Sequence, residues 1–344
     1  MWARGGHQCR CCGHPTLRPS SGALVQARSA DHLDGRRGGP HGGPQPGTRS
    51  ARRVQRRAVT QTVCDGDAPV GETGPVNLIH CHGFGNQFLI AFTDKVPVDG
   101  PELARSLCDP VSGIGADGLV FGTPTDRADL TRLTFTLFNS DGSRAEVSGN
   151  GLACFGHAIL RTLPQQEDLD VVVDTAAGPR RIRVVGTAAD VEVSVTVDMG
   201  AAGDGPDLRG LSVELGGPQA GRVASVDMGN PHLVVEVADP AAIDLASVGP
   251  QLEAYFQPVG CNVHMVSVVD RSTIWIRTWE RGAGLTEACG SGACAAAATA
   301  RSWGAVDDIV RVRMPGGETT VVVGDPVVLS VTSTFVGDSE VAYG

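Results

Sequence analysis

Two short stretches of this chain share one form. Ser148–Gly149–Asn150–Gly151 and Cys289–Gly290–Ser291–Gly292 each set a hydroxyl or thiol before glycine, a small polar residue and a second glycine. Each stands at the mouth of a run that reads as a helix. The first runs through about Leu160, and the second, rich in alanine, from Cys289 to about Ser302. Short strand signals surround both. In the first half they fall at Val76–Ile79, Phe88–Phe92, Leu119–Gly122, Leu133–Asn139, Asp170–Asp174, Arg180–Val185 and Val191–Asp198, with a polar helix near Pro101–Cys108. In the second half they fall at Arg222–Met228, Leu233–Val237, Val263–Val268, Ser272–Trp279, Ile309–Met314, Glu318–Val323 and Val327–Val336, with a helix around Leu245–Gln251. The plan occurs twice, at a spacing far longer than a solenoid repeat. The expected fold is α+β. Two pseudo-symmetric lobes, each a β-barrel-like sheet wrapped around a central helix, aim two helix N-termini at one cleft, where the active site is expected.

The thiol carries the chemistry. The first turn of a helix leaves backbone N–H groups unpaired and places the positive end of the dipole beside Cys289, which is expected to favour thiolate. Gly290 and Gly292 remove side chains there, so the amides can approach an anion such as a carboxylate. A thiolate beside a carboxylate cradle is what removal of a proton from the α-carbon of an amino acid requires.

Composition narrows the class. The chain has 344 residues, of which 41% are hydrophobic and 4% aromatic, enough for a core built mainly on Val, Ala and Leu. No apolar run reaches the length of a membrane span, and the N-terminus lacks the apolar stretch of a secretory signal. The net charge is −10. Residues 1–58 hold eleven arginines against Asp31 and Asp34, so the remainder is more acidic still, a poor surface for nucleic acid. Ten cysteines without a secretory signal are expected to be reduced thiols, in a cytoplasmic protein.

Residues 1–74 read as a disordered Arg/Gly/Pro-rich extension, or as an over-extended reading frame, since the next methionine after Met1 is Met199. His7, Cys9, Cys11, Cys12 and His14 lack zinc-finger spacing, and no metal site is expected. The lobes are expected at 75–199, completed by the last strand at about 335–344, and at 200–334.

With those residues set out, the chain from about 76 to 344 resembles the diaminopimelate epimerases. The resemblance rests on Gly85–Asn86–Gln87–Phe88, Gly113–Ile114–Gly115–Ala116–Asp117–Gly118, Asn139–Ser140–Asp141–Gly142–Ser143, Gly149–Asn150–Gly151, Met228–Gly229–Asn230–Pro231–His232, Glu280–Arg281–Gly282 and Ala288–Cys289–Gly290–Ser291–Gly292. It implies a two-base epimerisation of a small amino-acid substrate with no cofactor, and a homodimer. By similarity, Cys289 accepts the α-proton. Asn86, Asn139, Asn230 and Asn262 hydrogen-bond the substrate, and Glu280–Arg281 reaches its far end. Gly149–Asn150 and Gly290–Ser291 supply amides for the α-carboxylate. Neutral amides fix orientation, Arg281 can grip a carboxylate bidentately, and backbone N–H groups stabilise the spreading negative charge.

One departure falls at the centre of this chemistry. Where the family places its first catalytic cysteine, this chain has Ser148. A hydroxyl donates a proton but is far harder to ionise than a thiol. Three outcomes stay open: a working Ser/Cys epimerase, a one-sided elimination of the kind the related hydroxyproline dehydratases carry out, or a protein that binds an amino acid without turning it over. Glu146 or His157 could assist Ser148. Cys154 and Cys294 read as core packing, Asp117 as support for its own loop, and His80 and His82 as structural. Arg281 could pair with Glu280 or Glu287, and His232 could serve either a turn or the site.

Overall fold

The structure is a computed structural model that describes residues 75–126 and 129–342; the His7–His14 cluster and the expected extension lie outside the described residues. The first half runs β1 (Pro75–Gly83), β2 (Asn86–Phe92), α1 (Gly100–Cys108), β3 (Gly118–Asp126), β4 (Asp129–Asn139), β5 (Arg144–Ala145), α2 (Gly149–Arg161), β6 (Glu167–Thr175), β7 (Gly178–Thr187), β8 (Glu192–Asp198) and β9 (Gly203–Asp204). The second runs β10 (Val223–Asp227), β11 (Pro231–Glu236), a 3₁₀ turn (Pro240–Ala242), α3 (Leu245–Tyr255), β12 (Asn262–Asp270), β13 (Thr273–Glu280), β14 (Gly284–Thr286), α4 (Gly290–Ser302), β15 (Ile309–Met314), β16 (Gly317–Val322) and β17 (Val328–Ala342).

Strand pairing repeats across the halves. β2 lies parallel to β3 as β11 does to β12. The antiparallel pairs β3–β4 and β4–β5 recur as β12–β13 and β13–β14. The parallel step from β4 to β6 recurs from β13 to β15. Each parallel step is bridged by a helix, α2 in the first half and α4 in the second, which is the crossover that parallel neighbours require. The two-lobed α+β plan is therefore present, with the strands hydrogen-bonded as one continuous set. β17 ends it, pairing with β16, β8 and β1 in turn.

Strict alternation explains why the strands bury one face. In β15, Val310, Val312 and Met314 are buried while Ile309, Arg311 and Arg313 are exposed; in β7, Arg180, Ile182 and Val184 alternate with exposed Arg181, Arg183 and Val185. The two central helices show no such division. Every residue from Gly149 to Leu160 in α2 and from Gly290 to Ala300 in α4 is buried. A helix enclosed all round needs small or apolar residues on every face, which Gly, Ala, Leu and Phe supply. Burying a Leu or Phe side chain contributes about 1.5–3 kcal/mol, so Leu152, Phe155, Ile159 and Leu160 anchor the first lobe around α2. Arg161, at the end of α2, lays its guanidinium 3.3 Å from the centre of the Phe335 ring on β17.

Candidate functional site

Both repeated tetrapeptides cap their helices in the same way. Ser148 (φ −141°, ψ 119°) is the N-cap of α2, and its Oγ accepts the Gly151 N–H at 3.1 Å. Cys289 (φ −134°, ψ 112°) is the N-cap of α4, and its Sγ accepts the Gly292 N–H at 3.3 Å. Each capping atom satisfies one orphan N–H, while the first two amides of each helix have no intrahelical carbonyl to meet. The two helix mouths touch. A Cβ on Gly149 would fall 3.5 Å from Gly290 Cα, and one on Gly290 would fall 3.3 Å from Asn150 N. At Gly149 the tightest neighbour is the Leu329 side chain, 2.6 Å from where a Cβ would fall, so glycine there is required by packing at the junction.

A cavity of about 460 Å³ opens at this junction. Its wall holds all twelve residues singled out from the sequence: Cys289, Ser148, Asn86, Asn139, Gly149, Asn150, Asn230, Asn262, Glu280, Arg281, Gly290 and Ser291. Cys289 is buried and Ser148 half-buried. The hairpin turn expected at Ser140–Ser143 closes with Asn139 N–H donating to Ser143 O at 2.8 Å, which leaves Asn139 at the rim.

Each asparagine amide is held along one edge by protein. Asn150 Nδ2 donates to Asn86 Oδ1 at 2.6 Å. Asn139 Nδ2 donates to Ser143 Oγ at 3.0 Å. Asn262 Oδ1 accepts the Arg281 N–H at 2.9 Å, and its Nδ2 donates to Pro231 O at 3.2 Å. Asn230 Oδ1 lies 2.7 Å from His232 Nε2. An amide carries two donors and two acceptor sites, so one internal bond fixes its plane and leaves the rest for a ligand. Asn150 Oδ1 is buried without a partner, an acceptor aimed at the mouth of α4.

The expectation of a low thiol pKa at Cys289 is overturned. Enclosure pushes the thiol well above its ordinary value, and the neighbouring Glu280 carboxylate pushes the same way; Ser291 Oγ and the Gly292 N–H oppose them and do not prevail. Cys289 hydrogen-bonds Glu280, which also accepts from Thr286 Oγ1 at 2.7 Å. Desolvation raises Glu280 too, with its two hydrogen bonds opposing. Cys289 is thus held as a neutral thiol beside Glu280. The helix-start argument describes an exposed thiol, and this one is buried.

Three further expectations are settled by contacts. Arg281 pairs with neither Glu280 nor Glu287; its Nη2 lies 2.8 Å from Glu146 Oε2. His157 does not assist Ser148, because its ring is buried between Ser333 Oγ (3.1 Å) and Asp190 O (3.3 Å). Asp117 accepts the Gln87 N–H at 2.7 Å, so it ties its loop to β2 while also lining the cavity. Cys154 and Cys294 are fully buried, as packing residues are. Among the described residues no group of three or more His, Cys, Asp or Glu is placed to hold a metal ion, and no helix is long and apolar enough to cross a membrane.

Behind the wall lies a feature the sequence reading missed. His232 and His264 are both fully buried and 2.8 Å apart, Nδ1 to Nε2, and His264 Nδ1 lies 3.0 Å from Thr278 Oγ1. A hydrogen-bonded file therefore runs Thr278–His264–His232–Asn230. It also bears on α4, since a Cβ on Gly292 would fall 2.3 Å from His264 Cε1. Parallel pairing of β11 and β12 brings the two histidines together, at Val234 opposite His264 and His232 opposite Asn262.

Among solved structures, the fold matches a hydroxyproline epimerase from Agrobacterium vitis, with TM-score 0.58, 19% identity and coverage of 78% of this chain and 92% of that one. It also matches a probable proline racemase from Agrobacterium radiobacter, with TM-score 0.59, 19% identity and coverage of 78% and 93%. At that identity the likeness speaks for architecture alone: the class is a two-lobed α+β fold shared with those two proteins. Sequence carries it further. Residues 79–203 and 224–330 match the family model described as diaminopimelate epimerase. A diaminopimelate epimerase from Moorella thermoacetica is 39% identical over 260 residues, covering 71% of this chain and 90% of that one. Another, from Geobacillus kaustophilus, is 36% identical over 269 residues, covering 71% and 88%. The chain belongs to the diaminopimelate epimerase family.

Proposed function

We propose that this protein interconverts LL- and meso-2,6-diaminopimelate by moving a proton at one α-carbon, with Cys289 and Ser148 acting from opposite faces. The observation that carries the reading is the meeting of two identically capped helix N-termini in one cavity, one offering sulfur and the other oxygen. The amides of Gly149, Asn150, Gly290 and Ser291 hold the α-carboxylate and stabilise charge as the carbanion delocalises into it. Asn86, Asn139, Asn230 and Asn262 fix the chain of the substrate, and Arg281 takes the second carboxylate.

The raised thiol gives the order of events. Cys289 first passes its proton to Glu280, leaving a thiolate and a neutral acid. The thiolate then takes the α-proton, and the electron pair moves into the carboxylate. Ser148 Oγ–H delivers a proton to the other face, and its oxygen is left stabilised by the Gly151 N–H and the helix end. Return of the Glu280 proton to Ser148 through solvent restores the resting state. A serine serves better as donor than as base, and this slows interconversion in both directions, since both pass through the same transition states.

Incubation with LL-diaminopimelate in D₂O tests the proposal. Deuterium at one α-carbon and formation of the meso isomer are expected; binding without exchange, unaffected by Cys289→Ala, identifies a non-catalytic amino-acid-binding protein instead. Loss of water from a hydroxylated amino acid identifies an elimination enzyme. The proposal also includes a homodimer acting in the cytoplasm, which sedimentation and cell fractionation check. We place the lobe boundary near residue 199, and the pairing of β17 with β1 supports counting the last strand with the first lobe.

A further inference from the structure

We infer that Glu146 is the ligand for an ammonium group at the far end of the substrate, so that Glu146 and Arg281 together recognise a second amino-acid terminus; this rests on the proposed function. Four carboxylates line the cavity: Asp117, Asp141, Glu146 and Glu280. Three are engaged by groups of their own surroundings. Asp117 accepts the Gln87 N–H, Asp141 accepts the Ser143 N–H, and Glu280 is bonded by Thr286 and Cys289. Glu146 instead meets Arg281, 135 residues away, with 2.8 Å between Oε2 and Nη2. Arg281 is itself fixed, its Nη1 donating to Val259 O at 3.0 Å and its backbone N–H to Asn262.

This pairing selects among far-end chemistries. A lone carboxylate arriving at Arg281 comes up against the negative charge of Glu146, which shares that guanidinium. A lone ammonium arriving at Glu146 comes up against Arg281. A carbon that carries both groups satisfies both residues at once, carboxylate on Arg281 and ammonium on Glu146, and the four charges then alternate in sign. Without substrate the two residues neutralise each other, so neither waits as an uncompensated charge at the cavity wall. Both side chains keep some exposure, 25% for Arg281 and 44% for Glu146, so a ligand reaches them without unfolding the wall.

The experiment compares diaminopimelate with 2-aminopimelate, which keeps both carboxylates and lacks the second amine. α-Proton exchange in D₂O is measured for the wild type and Glu146→Gln; the amide of Gln still accepts from Arg281, so the arginine stays in place. The wild type is expected to prefer diaminopimelate by roughly 10- to 100-fold in kcat/KM, the range for a charge-assisted hydrogen bond. Glu146→Gln is expected to lose most of that preference by slowing diaminopimelate while leaving 2-aminopimelate nearly unchanged. An equal loss on both compounds, or an undiminished preference, overturns the assignment. If the wild type exchanges neither compound, the catalytic reading fails by itself. Calorimetric affinities of the same two compounds for the same two proteins then decide the role of Glu146, by the same criterion.

Discussion

The buried file behind Asn230 makes the protein sensitive to acid in a calculable way. His264 is fully enclosed, and burial pulls its pKa from 6.5 to about 3. His232 is lowered well below its usual value, first by burial and then by the positive charges of His264 and Arg281 that face it. The folded protein therefore keeps both rings neutral, whereas the unfolded chain protonates each near pH 6.5. The associated stability is intact above about pH 6.5 and is lost as pH falls from there towards about 3, because the unfolded state takes up protons that the folded state refuses. A ring held neutral contributes a slope of about 1.36 kcal/mol per pH unit, so at pH 5 His264 costs about 2 kcal/mol, and His232 adds in the same direction. That is a large part of an ordinary folding free energy of about 5–15 kcal/mol. Urea unfolding between pH 7.5 and pH 5 reads the loss directly. His264→Gln, weaker at neutral pH because it disturbs the file, should show a pH slope shallower by about 1.36 kcal/mol per unit, and the comparison subtracts what His80 and His157, also lowered by burial, add to both proteins. Parallel slopes for the two proteins, or a His264 ring that titrates near its unperturbed value in the folded state by NMR, would refute the reasoning.

Other consequences follow from the same geometry. Ser148→Cys puts a second ionisable thiol at the mouth of α2; because a positioned acid or base is worth about 10²–10⁴ in rate, interconversion in both directions should rise by at least tenfold, and an unchanged rate places Ser148 away from the α-carbon. Glu280→Gln removes the group that takes the Cys289 proton in the proposed mechanism, while burial still holds the thiol protonated, so epimerisation should fall by about 10²–10⁴-fold; an unchanged rate contradicts the Cys289–Glu280 arrangement. Gly292→Ala drives a methyl against the His264 ring, which is bonded on both sides and cannot step back, and should lower stability by about 1–3 kcal/mol in urea titrations; a neutral outcome means the ring yields.

The parts of this molecule that could be read from sequence are those set by local pattern. Alternation in stretches such as Ile309–Met314 fixed which face of a strand goes inward, and Asn139–Ser143 announced its turn. The paired tetrapeptides gave the duplication, since a glycine-flanked cap before an apolar run serves the same structural end in both halves. What escaped was set by distance along the chain. Glu146 and Arg281 are brought together from opposite halves, and nothing near either names the other. His232 and His264 meet because β11 and β12 run parallel, a relation that neither strand's own residues specify.

The misjudged thiol has the same cause and sharpens the mechanism. The helix start does act on Cys289, through the Gly292 N–H, but the magnitude that decides its protonation is desolvation by the surrounding lobes together with Glu280 at the end of β13. Enclosure disfavours a lone thiolate. In the proposed mechanism the charges of an incoming substrate shift that balance, and the proton on Cys289 moves to Glu280 only then. A buried, protonated thiol resists oxidation, since sulfur chemistry of that kind needs thiolate and access. In the proposed mechanism the thiol must therefore ionise only once a substrate is bound, which ties its role as base to occupancy.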